Sequence, residues 1–73
     1  MLVKEDTSMD WVSFLKVMAA EEEVARARYD WAAQNADKPK LRAVFKKLRD
    51  EEEVHAQFLE GERLKLEKLL AGS

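Results

Sequence analysis

Residues 41–59 read LRAVFKKLRDEEEVHAQFL. Apolar side chains recur there at Leu41, Phe45, Leu48 and Leu59, and Glu52 and His55 fill the two positions that complete an alternation of four and three. The rhythm continues through Glu62, Leu66 and Leu69. Such steps line one stripe of an α-helix, and sustained over several heptads they mark helices packed at a shallow crossing angle.

Upstream, Trp11, Leu15, Met18, Glu22, Ala25, Tyr29, Ala32 and Ala36 keep the same rhythm. Thr7 or Ser8 can cap that helix, with Asp10 in the first turn where acid is favoured. The two stripes are separated by Asp37-Lys38-Pro39, and Pro39 suits the first position of a second helix. The reading is a single all-α domain over 1–73: a helix over about 8–36, a turn at about 37–38 and a helix over about 39–71. So short a connection makes the helices antiparallel neighbours. Gly61 falls inside the second helix at a cost of about 1 kcal/mol relative to Ala, which points to a kink or to close packing there.

The composition narrows what such a hairpin can do. A chain of 73 residues buries little of its own surface and needs a staple. It has no Cys, which excludes disulfides, thiolate zinc sites and iron–sulfur clusters. Oxygen- and nitrogen-ligated metal and oligomerisation remain. The 13 Lys and Arg residues are interleaved with 15 Asp and Glu, so there is no basic footprint for nucleic acid. No apolar run approaches the roughly 20 residues that span a bilayer, and MLVKEDTS has no signal-peptide core. The cytoplasm is the expected location, without membrane attachment.

Glu22, Glu52 and His55 occupy seam positions where Leu is expected, and a lone buried carboxylate is costly. In an antiparallel hairpin turning between Asp37 and Lys38, residues at one height have numbers adding to about 75. Glu22 with Glu52 comes to 74 and Glu22 with His55 to 77, so all three interruptions fall at one level. Glu52 and His55, three apart, project from one face. One hairpin offers too few ligands to enclose a metal pair, whereas two-fold pairing into a four-helix bundle doubles the set to four Glu and two His. Four carboxylates would balance two divalent cations. Oxygen-rich ligation with some imidazole suits iron or manganese, and zinc can substitute. The competing use of the trio is an interfacial salt-bridge cluster with Arg26 or Arg49.

Glu22-Glu23-Val24-Ala25-Arg26-Ala27-Arg28-Tyr29 resembles the first-helix signature of rubrerythrins, and Glu52-Glu53-Val54-His55-Ala56 resembles their second-helix Glu-x-x-His-Ala. The resemblance covers roughly Trp11 to Leu59 and implies a ferritin-like di-iron bundle, built from a Glu on each of two helices and Glu-x-x-His on the others. With two helices per chain, it is closer to the encapsulated ferritins, whose short subunits complete the site across a dimer. The resemblance implies that Glu22 and Glu52 bridge or chelate two irons per dimer and that His55 caps each one. Tyr29 would hydrogen-bond a ligand Glu. Glu62, one heptad beyond His55, is a further candidate ligand. The implied partners are a second copy, a higher ring-like oligomer and an encapsulating shell protein, with residence in the cytoplasm or inside a protein nanocompartment. Position 25, where rubrerythrins have a further Glu, is Ala, and the sequence ends at Ser73 without the tail that addresses a shell.

The activity so implied is ferroxidase-type oxidation of Fe(II), for iron handling or oxidative-stress protection. Two alternatives stand beside it: a rubrerythrin-like peroxide reductase fed by an external electron donor, and a structural metal-binding dimer without catalysis. Trp11, Phe14, Leu66 and Leu69 are expected in the core or between dimers. Trp31 lies off the seam and marks either a second interface or an exposed aromatic.

Overall fold

In the computed structural model, residues 7–72 are described, with side chains from Trp11 onward. The side chains of Thr7 and Ser8, the expected alternative caps of the first helix, and of Asp10, expected in its first turn, lie outside that range. Two helices account for the described chain: α1 (Thr7–Asn35) and α2 (Pro39–Gly72). The observed limits differ from the expected ones by a residue at each end of α1 and at the far end of α2. The two helices run side by side as an antiparallel hairpin measuring 52 × 24 × 12 Å.

The turn holds because its stranded carbonyls find donors. The Ala36 N–H donates to the Ala32 carbonyl at 2.9 Å, ending the α1 ladder. Asn35 Nδ2 donates to the Trp31 carbonyl at 2.8 Å, and Arg42 Nη1 reaches back to the Ala36 carbonyl at 2.8 Å. The Arg42 guanidinium therefore sits at the negative end of the α1 dipole. No described residue adopts a positive φ, so side chains finish the helix without a glycine cap. Pro39 opens α2 at a position where its missing N–H costs nothing. Farther along, Arg49 Nη1 donates to Asp30 Oδ1 at 3.1 Å and ties the helices together across the groove.

A layer one helix thick cannot bury a large side chain. Among the described residues only Ala19, Ala33 and Ala56 are buried. Each lies one residue beyond a seam position, next to Met18, Ala32 and His55. The helices thus touch along a strip of alanines, and the Leu, Phe, Glu and His side chains of the seam stand on the lip of that contact. Trp11 and Phe14 are exposed and meet each other edge to face, with ring centroids 5.6 Å apart, so they are not core within the hairpin. α2 runs unbroken through Gly61, and a Cβ there would meet nothing within 4 Å, so close packing inside the hairpin does not account for that glycine. Phe58, Val54, Val44 and Leu64 are also more exposed than covered or nearly so. Burial of such a side chain contributes about 1.5–3 kcal/mol, and one hairpin leaves that contribution unrealised.

Candidate metal centre

Glu22 projects from the middle of α1, and Glu52 and His55 project from α2 at the same height. One ligand atom from each can be chosen so that all three lie within 4.8 Å of one another. His55 Nδ1 is 3.5 Å from Glu22 Oε1 and 3.9 Å from Glu52 Oε1. These separations exceed a hydrogen bond and are short enough for the three groups to share a cation between them. Glu52 and His55 belong to adjacent turns of α2, so the helix sets their spacing, and the short turn sets Glu22 opposite.

Two features of the electrostatics distinguish this trio. Glu22 Oε1 is shut off from water and has no hydrogen-bond partner. A carboxylate oxygen in that condition lacks a donor or a cation. The Glu52 carboxyl is held above its ordinary value, first by the proton it can share with Glu22, then by partial burial, then by the negative charge of Glu22, with His55 opposing. When both carboxylates are ionised neither can donate, which leaves Glu22 Oε1 orphaned.

The arginines that might have neutralised the pair are committed elsewhere. Arg26 pairs with Glu23 at 3.0 Å, and Arg49 pairs with Asp30 and Asp50. The salt-bridge cluster considered as the competing reading is therefore not formed within the hairpin.

The site is open on one side. The Glu22 and Glu52 side chains are 25% and 21% exposed, whereas His55 is 60% exposed. Beside them a shallow depression is lined by Glu22, Val54, His55, Phe58 and Leu59. Val54 and Phe58 fall between the heptad positions, so the periodicity does not point to them. Their signal was their nearness to His55, one residue before it and three after.

The other expected site residues lie apart. The Tyr29 ring stacks on Phe45 with centroids 6.4 Å apart, and its hydroxyl makes no hydrogen bond among the described residues. Glu62 is not in the trio, and its Oε2 lies 3.2 Å from Lys65 Nζ.

The donor set fits a metal on two grounds: two carboxylates and an imidazole converge, and one carboxylate oxygen is buried without a partner. Among the described residues, no other group of three or more acids or histidines converges in this way. No family model matches the chain, and no curated protein or solved structure matches it either.

Proposed function

We propose that two copies of the hairpin pair across the open side of the trio, forming a ferritin-like four-helix bundle that oxidises Fe(II). The observation that carries this reading is the convergence of Glu22, Glu52 and His55 at mid-height with Glu22 Oε1 left unpartnered. Two such half-sites facing each other would supply four carboxylates and two imidazoles. That is the donor arrangement of carboxylate di-iron bundles.

The residues divide the work as follows. Glu22 and Glu52 hold the substrate cations and neutralise their charge, and His55 supplies the nitrogen ligand. Val54 and Phe58, once covered by the second copy, keep water out. Tyr29 stands two turns from Glu22 on the same stripe, and in the paired form its hydroxyl would hydrogen-bond a carboxylate of the partner. When bound, the iron supplies the redox chemistry: each Fe(II) gives up one electron, and dioxygen or hydrogen peroxide accepts them.

The test is the rate at which the metal-free protein oxidises added Fe(II), followed by ferric absorbance. Wild type should exceed buffer alone, and Glu22→Ala with Glu52→Ala should fall to the buffer rate. Wild-type oxidation at the buffer rate rejects the ferroxidase reading. If metal still raised the melting temperature in that case, the site would be a structural one.

A further inference from the structure

Val17, Ala20, Val24, Ala27 and Trp31 repeat in steps of three and four along α1. They form a second apolar heptad stripe, separate from the one that carries Glu22. At 100° per residue this stripe lies well over a quarter-turn from Ala19 and Ala33, the buried residues that face α2. The hairpin's own second helix therefore cannot cover it. Val17, Val24 and Trp31 are 53%, 49% and 67% exposed. A helix that is apolar on two sides is one that packs on two sides.

The stripe has the composition and the charges to pair with itself. Val17 and Trp31 stand seven residues either side of Val24, and the alanines at 20 and 27 let two backbones approach closely. In an antiparallel crossing with the two-fold axis at Val24, Val17 lies level with Trp31 of the partner subunit. Glu21 then lies within one residue of the level of the partner's Arg28, and the symmetry repeats the pairing on the other side. Glu21 and Arg28 flank the stripe on one side, are exposed, and make no ion pair among the described residues. A self-complementary patch of this kind is what an isologous contact requires.

We infer that α1 carries a second self-association surface, in which Val17, Val24 and Trp31 pack antiparallel against the same residues of another copy and Glu21 pairs with the partner's Arg28. The surface is separate from the metal site and does not depend on it. With the pairing at the metal site proposed above, two dyads on one hairpin would build an assembly larger than a dimer.

The chain has no native cysteine, so Val24→Cys introduces a single thiol at the proposed axis. Under mild oxidation Val24→Cys should form a covalent pair at least tenfold faster than Lys46→Cys on the exposed polar side of α2. Val24→Glu and Trp31→Glu should each lower the mass measured by light scattering at least twofold while helicity by circular dichroism is kept. Glu21→Arg should slow the cross-linking of Val24→Cys, and adding Arg28→Glu should restore it. Equal cross-linking of the two cysteine variants, or an unchanged mass in both glutamate variants, overturns the proposal. A stripe covered by a different protein gives that same negative result in the purified chain. Metal binding by Val24→Glu stays at the wild-type level in either case, so the outcome is separable from that of the Glu22 and Glu52 variants.

Discussion

The turn and the middle of the hairpin treat their polar groups in opposite ways. At the turn, the side chains of Asn35 and Arg42 donate to the Trp31 and Ala36 carbonyls, and Arg49 reaches Asp30 across the groove. Four turns away, Glu22 Oε1 is shut off from water without a hydrogen-bond partner, beside the Glu52 carboxyl, which is held above its ordinary value. Both regions lie on the same two helices, so local helix stability does not explain the contrast. It separates polar groups that hold the chain in shape from polar groups whose counterpart comes from outside.

Metal addition should widen the contrast most. Fe(II) without oxygen, Mn(II) or Co(II), at a hundred times its dissociation constant, stabilises the folded form by about 2.7 kcal/mol. For a domain of this size that is a rise of roughly 10–20 °C in melting temperature. Glu22→Ala or Glu52→Ala should remove the rise altogether. A rise that persists in both variants would mean that the cation binds elsewhere and that the orphaned oxygen is incidental.

Arg42→Ala probes the opposite region and should give the next largest effect. It strips the donor from the Ala36 carbonyl at the negative end of the α1 dipole. The expected loss is about 1–2 kcal/mol in urea unfolding of the metal-free protein. The metal-dependent rise in melting temperature should survive unchanged. If Arg42→Ala abolished it, the turn and the site would form one cooperative unit.

The same division decides what could be read from the residues alone. The two helices follow from the heptad steps and from Pro39, because both act through local geometry. The meeting of Glu22, Glu52 and His55 was legible for a related reason: a short turn between two helices fixes heights by counting. The line of contact was not legible. A heptad stripe predicts which side of a helix is covered, but it takes the nearest neighbour to cover all of it. In a two-helix layer the stripe is shared between that neighbour and open space. The closest approach therefore shifts to Ala19, Ala33 and Ala56, where backbones can come nearest, and the seam is left on the lip. Tyr29 and Glu62 follow from this. Placed on the lip of the contact, one stacks on Phe45 of the facing helix and the other takes Lys65 as its neighbour.

Proton linkage should show the smallest effect, because water still reaches the Glu52 carboxyl and screens its interactions. Its folded value lies above the ordinary 4.5, so the folded chain holds this proton more tightly than the unfolded chain does. The resulting stabilisation is complete below 4.5 and disappears as pH rises through the raised folded value. Glu60 works in the other direction. Arg63 holds its carboxyl below 4.5, so its contribution is present above that value and disappears as pH falls through the lowered one. The two windows meet at the ordinary glutamate value without overlapping. Melting curves of the metal-free protein from pH 4.5 up to about pH 7 separate Glu52 from Glu60. Wild type should lose a few degrees as pH rises through the lower part of that interval, while Glu52→Gln, neutral throughout, should stay level there. Parallel curves would mean that Glu22 and Glu52 do not share a proton in solution. The strain between them that a cation is proposed to relieve would then be absent.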